Sequence, residues 1–264
     1  MDQFLNDMNK QFALFNRCLD RVQANAGVED VHKLRVVARK LRTLLSVLDF
    51  SGITVGAKEE YQKLINRLFL FAGRVREAQV NELALSRRKA DYLASYLNYL
   101  RGAQKRAIRF LQAEINAFDR CRLEQLGRTC LQGVQSVHND GPVAAVSAYI
   151  AYKQEKICLL KQAVTDDRLL HKIRIQLKAL SDGLILHRKV NGRDLAGVPT
   201  PAIKKINRIM GNWHDEVVLT NSLKLFVKRR TAQKNKAYLE NLIDRKEKNA
   251  LLRRTEICSF LDSF

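Results

Sequence analysis

The run Val31-His32-Lys33-Leu34-Arg35-Val36-Val37-Ala38-Arg39-Lys40-Leu41-Arg42 occurs twice, the second time weakened to Leu170-His171-Lys172-Ile173-Arg174-Ile175-Gln176-Leu177-Lys178-Ala179-Leu180-Ser181. A recurrence of this length predicts a fold built from a duplicated unit. At about 100° per residue, His32, Arg35, Arg39 and Arg42 share one narrow stripe of a helix, with Leu34, Val37, Ala38, Leu41, Leu44, Leu45 and Leu48 on the opposite face. His171, Arg174 and Lys178 repeat the stripe, with Ile173, Leu177, Leu180 and Leu184 behind it. Each copy therefore predicts a helix that buries one face and carries a cationic rail on the other.

Prolines occur only at Pro142, Pro199 and Pro201, which leaves long windows with helical periodicity and predicts an all-α protein without strands. Helices are expected over residues 2–25, 29–50, from about 57, and over 80–116, then over a connecting segment at 118–137. Four more are expected over 143–164, 167–189, 200–217 and 220–260. Asp140-Gly141-Pro142 is turn chemistry and marks the boundary. The expected organisation is a first four-helix repeat at 1–117, a connecting helix and linker at 118–141, and a second four-helix repeat at 142–264. The third helices align Gly73 with Gly211 and Glu77 with Asp215. A glycine there admits a close helix approach, and the acid four residues on can cap the next helix or hold an arginine. Lys63, Arg67 and Arg74 form a second cationic line on the first of these helices.

Lys and Arg number 47 against 27 Asp and Glu, a formal charge of +20, while 46% hydrophobic residues are enough for packed cores. Such a balance calls for a polyanionic partner: nucleic acid, polyphosphate or an anionic membrane surface. The five cysteines are scattered and never spaced as Cys-x-x-Cys, which fits a reducing cytoplasm and signals neither disulfides nor a zinc site. No signal peptide is read at Met1 to Asp7, and no stretch approaches the 18 or so apolar residues of a membrane span.

The His-x-x-Arg-x-x-x-Arg-Lys-x-Arg run at His32 to Arg42, its echo at His171 to Lys178, and the Gly-x-x-[Arg/His]-[Glu/Asp] motifs at Gly73 to Glu77 and Gly211 to Asp215 together resemble the CHAD family, the conserved-histidine α-helical domain, here as a stand-alone member. The resemblance spans nearly the whole chain. It implies two four-helix bundles related by a pseudo-twofold axis, a cationic surface or cavity, and binding of inorganic polyphosphate, with targeting to polyphosphate granules. The ligands it implies are His32, Arg35, Arg39, Lys40 and Arg42 from the first rail and His171, Arg174 and Lys178 from the second, with Arg67 and Lys205 as lesser members. Ala179 stands opposite Lys40 and Ser181 opposite Arg42, so the second rail is the weaker.

A basic stripe on one helix is ordinarily a solvated face, but this one occurs twice, and no Asp or Glu lies between Val31 and Leu48 to relieve its repulsion. The chain shows no Glu-x-Glu-x-Lys or Walker-type loop, no nucleophile beside the histidines, and in His214-Asp215 a pair that cannot face one another on a helix. The expectation is a binding module without enzymatic turnover, cofactor or metal. The alternative is a nucleic-acid-binding protein, supported by Arg87-Arg88-Lys89, Lys228-Arg229-Arg230 and Arg253-Arg254, although the rails lack interleaved aromatics. Trp213, the Phe69/Phe71 pair and the cysteines are expected in the core. The Arg35→Ala, Arg39→Ala pair is expected to weaken ligand binding more than Arg174→Ala, Lys178→Ala, with the fold intact.

Overall fold

The breaker-poor windows become helices. The computed structural model describes residues 1–85, 90–138, 140–163 and 166–262, and among these it contains nine α-helices and no strand. They are α1 (Asp2–Ala24), α2 (Val28–Phe50), α3 (Ala57–Leu85), α4 (Ala90–Asn116), α5 (Arg120–Gln135), α6 (Gly141–Gln162), α7 (Asp167–Asn191), α8 (Thr200–Val227) and α9 (Lys236–Asp262), with a 3-10 turn over Arg230–Asn235. Local chemistry sets several ends. Asp119 and Asp166 cap α5 and α7 by accepting from the amides of Arg122 and Leu169, each at 2.9 Å. Pro142 sits in the first turn of α6, and Gly192 closes α7 in the left-handed region at φ 74°.

Two expected boundaries are corrected. The break expected near Val80 is absent, because α3 continues to Leu85 while Val75, Ala78, Gln79, Asn81 and Leu85 remain buried. The break expected between Val217 and Thr220 is also absent: α8 continues to Val227, and the Thr220 hydroxyl donates to the Glu216 carbonyl at 2.7 Å within the helix. Glu77 and Asp215 consequently lie inside helices and cap none.

The chain divides into two compact units. The first comprises Met1–Gly73 and Phe110–Ile203, the second Arg74–Arg109 and Lys204–Phe264. Each unit takes helices from both halves of the chain, so the spatial partition differs from the sequence repeats. In the first unit α1 packs along α2, α6 packs along α7, and α2 touches both α6 and α7. The seam predicted for α2 is its core, with Leu34, Ala38, Leu41, Leu45 and Leu48 wholly buried, and Ile173, Leu177 and Leu180 of α7 are buried likewise. Each buried leucine or isoleucine among them contributes about 1.5–3 kcal/mol of transfer free energy. The Tyr61 hydroxyl donates to the Ala38 carbonyl at 3.0 Å and fixes α3 on α2. The second unit has its own core of Leu93, Tyr96, Leu100, Leu219, Leu223, Phe226, Leu239 and Leu242, with Lys246 of α9 paired to Glu216 of α8 at 2.8 Å.

Trp213 is in the core, but Phe69 and Phe71 are only half-buried, Phe71 stacking on Phe110 at 5.3 Å. Of the cysteines Cys18 and Cys130 are buried, whereas Cys121 and Cys158 are exposed and Cys258 is intermediate. Apolar periodicity assigns a face, and residues at its margin remain partly solvated.

The glycines of α5 and α8 make opposite demands. A Cβ at Gly133 would lie 2.8 Å from the Ile53 carbonyl and 2.7 Å from the Thr54 hydroxyl, so α5 can sit against the loop after α2 only without it. At Gly211 a Cβ meets nothing within 4 Å. Gly133→Ala should destabilise by roughly 1–3 kcal/mol, and Gly211→Ala should stabilise by up to about 1 kcal/mol, both read as denaturant midpoints. A stable Gly133→Ala protein would contradict this packing.

Candidate functional site

Both rails lie in the first unit, on α2 and α7. Asp182 is four residues beyond Lys178 and shares the helical stripe of His171, Arg174 and Lys178, so it belongs to the rail of α7. Its Oδ2 accepts from Arg39 Nε at 2.6 Å and its Oδ1 from Nη2 at 3.3 Å. This two-pronged pair joins the rails. The Asp182 side chain is 5% exposed and that of Arg39 31%, while the guanidinium keeps Nη1 for another acceptor. The absence of acids between Val31 and Leu48 is therefore offset by one from α7, which supplies the first rail with a counter-charge that its own helix lacks there.

Arg35 and Arg42 are organised by Phe69. Their guanidinium carbons lie 4.4 and 4.8 Å from its ring centroid, and Arg35 Nη1 also donates to the Phe69 carbonyl at 3.1 Å. The role of Gly73 follows directly, since a Cβ there would lie 3.0 Å from Arg35 Nη1. The glycine makes room for a guanidinium. The second copy does not repeat the device: Asn207 aligns with Phe69, and the space beside Gly211 is open. Burial pushes the Arg42 guanidinium below its ordinary pKa, and its Nε has no hydrogen-bond partner among the described residues.

The remaining members divide. His32 is exposed at the start of the first rail. Lys40 lines a cleft with Asp7, Gln11, Thr43, Asp182 and Lys189, in which Lys189 pairs with Asp7. His171, Arg174 and Lys178 are all half-buried. Burial first, then the charges of Arg174 and Lys178, push the His171 imidazole below its usual pKa. His171, Arg174 and Lys178 are thus close enough to act on one another. Arg67 is exposed and pairs with Glu114 at 2.6 Å, and Lys63 pairs with Glu59 at 2.9 Å, so the second cationic line of α3 is largely neutralised. Lys205 lies in the second unit, 5.7 Å from the Phe260 ring. Arg87, Arg88 and Lys89 lie outside the described residues, as does the Arg230 side chain. Among the described residues no group of three or more His, Cys, Asp or Glu could hold a metal ion. No described helix is long and apolar enough to cross a membrane.

Sequence reasoning missed Asp182, Phe69 and Lys189. The phase of Asp182 on its own helix was a usable signal. The part of Phe69 was not, because an aromatic at the margin of a core stripe reads as core.

Arg39→Ala should destabilise the protein by about 2–3 kcal/mol, since it leaves the Asp182 carboxylate secluded without its partner. Arg39→Ala with Asp182→Ala should recover much of that loss in a thermal-melt mutant cycle. Additive losses would show that the pair is not coupled.

The chain matches the family model described as the CHAD domain over residues 10–224. No curated protein matches it. Among solved structures, the crystal structure of the CHAD domain from the plant Ricinus communis superposes with a TM-score of 0.74 at 16% identity, covering 100% of this chain and 91% of that one. At that identity the likeness is one of fold.

Proposed function

The chain belongs to the CHAD domain family, and from that premise and the two joined rails we propose that it binds inorganic polyphosphate. The observation that carries this reading is the arrangement about Arg39 and Asp182, where two cationic stripes meet in one compact unit. His32, Arg35, Arg39, Lys40 and Arg42 line one side, and His171, Arg174 and Lys178 the other. From His32 to Arg42 the helix rises about 15 Å, a line that a flexible chain of phosphates can follow. The guanidiniums stay charged at any relevant pH and donate in planar pairs. The Phe69 ring is half-buried and already engaged by two guanidiniums, which favours a base-free polyanion over nucleic acid. An anion beside His171 would offset the repulsion from Arg174 and Lys178, so binding takes up a proton there and tightens as pH falls through the ordinary histidine range. Arg67 and Lys205 are secondary contacts at most. The protein acts as a cytoplasmic binding module, carrying itself or a partner to polyphosphate granules, with no turnover of its own.

The test is a competition at one salt concentration between long-chain polyphosphate and single-stranded or duplex DNA of equal charge. Polyphosphate should win. Arg35→Ala with Lys40→Ala, which spares the Arg39–Asp182 pair, should weaken polyphosphate binding more than Arg174→Ala with Lys178→Ala. Each lost phosphate contact should lower the salt slope by roughly 0.7–0.9. DNA binding as tight as polyphosphate binding would transfer the reading to nucleic acid.

A further inference from the structure

A second group of cations lies away from the rails. Lys153 and Lys156 project from α6, and Lys58 from the first turn of α3 lies near enough to act on Lys153 electrostatically. Lys153 Nζ donates to Gln176 Oε1 of α7 at 3.0 Å and lies 4.9 and 5.1 Å from the rings of Tyr149 and Tyr152. Lys156 Nζ donates to the Tyr152 hydroxyl at 3.2 Å. On a helical wheel Gln176 lies nearly opposite the His171, Arg174 and Lys178 stripe, so this group occupies another face of the first unit.

Glu155, between the two lysines on α6, is exposed and pairs with neither among the described residues, and the acids of the adjoining elements are engaged elsewhere. Asp49 accepts from the Gly56 amide at 2.6 Å, Glu59 pairs with Lys63, and Glu60 pairs with Arg122. Among the described residues no carboxylate pairs with Lys58, Lys153 or Lys156. Burial, followed by Lys156 and Lys58, holds the Lys153 ammonium down at about 8. Lys153 and Lys156, both against the Tyr152 ring and with no paired carboxylate among the described residues, form a place for an anion, and Lys58 adds positive potential nearby.

An aromatic ring beside them narrows the class of anion. Phe50, the last residue of α2, stacks on Tyr152 at 4.9 Å and 24° yet remains 46% exposed. This differs from the rail, whose Phe69 lies under Arg35 and Arg42. The Lys153 and Lys156 amines lie 5.1 and 5.5 Å from the Tyr152 centroid and Phe50 stacks on the same ring at 4.9 Å, so the amines and the exposed ring fall within the span of one nucleotide. We propose that Phe50, Lys153 and Lys156 form a binding site for a nucleoside di- or triphosphate, the base stacked on Phe50 and the phosphates held by the two amines. This site is independent of the polyphosphate reading and makes no use of either rail.

The test is protection of Lys153 from an amine-reactive reagent, followed by mass spectrometry on the full chain. ATP, adenosine and tripolyphosphate are compared without metal, in wild type, in Phe50→Ala and in the rail variant Arg174→Ala with Lys178→Ala. ATP should protect at concentrations where adenosine does not, and at lower concentration than tripolyphosphate. Phe50→Ala should raise the ATP concentration required by roughly fivefold or more, the lower end of a base–aromatic stack, and leave tripolyphosphate unchanged. The rail variant should behave as wild type. The proposal is overturned if Lys153 is unprotected, if tripolyphosphate protects as well as ATP, or if the rail variant abolishes protection. Protection of Lys153 in the wild-type protein depends on no variant, and each variant is compared once its helicity and melting match those of the wild type.

Discussion

A carboxylate held at 5% exposure is stable as a charge only beside a cation, and Asp182 has Arg39. That requirement locks the middle of α2 to the middle of α7. Because both residues lie on the cationic stripes of their helices, the same contact fixes how the two stripes are presented. The apolar seams behind them supply most of the packing free energy, whereas the ion pair supplies direction. The arrangement has a cost to binding. Any polyanion drawn to Arg39 competes with a carboxylate already in place, so Arg35, Lys40 and Arg42 carry more of the proposed ligand contact than their helical phase alone suggests.

The two rails reach their cationic character by different means. On α2 the guanidiniums of Arg35 and Arg42 rest on Phe69, with Gly73 giving Arg35 its place. On α7 the cations crowd His171, whose imidazole is held toward its neutral form. The asymmetry visible in Ala179 and Ser181 is thus accompanied by a second one in the support beneath the charges. A rail resting on an aromatic ring is preorganised and gives up less freedom when an anion arrives.

Much of this was legible in the sequence. The α2 seam is buried residue for residue, and most helix ends fall within three residues of the periodicity, because Gly27, Asp119, Pro142, Asp166 and Gly192 are local signals whose chemistry acts locally. The ends of α3 and α8 were not legible, since burial of Val75, Ala78, Leu219 and Leu223 carries both helices past residues that mark no firm stop. The division into compact units was hidden as well: a repeat in sequence says which residues correspond, not which helices pack together. At the site the stripes could be read from phase. The partner of Arg39 lies 143 residues away, and the ring under Arg35 lies 34 away. Contacts at those separations are products of the fold.

The most direct measurement of the central claim is the polyphosphate affinity of Asp182→Asn across a salt series. The substitution keeps an acceptor for Arg39 and removes the charge that competes with the ligand. If the joined rails are the binding surface, affinity should rise and the salt dependence should steepen relative to the wild-type protein. An unchanged or weaker affinity in a variant that retains its fold would show that the polyanion does not meet Arg39, and that the meeting of α2 and α7 is structural alone.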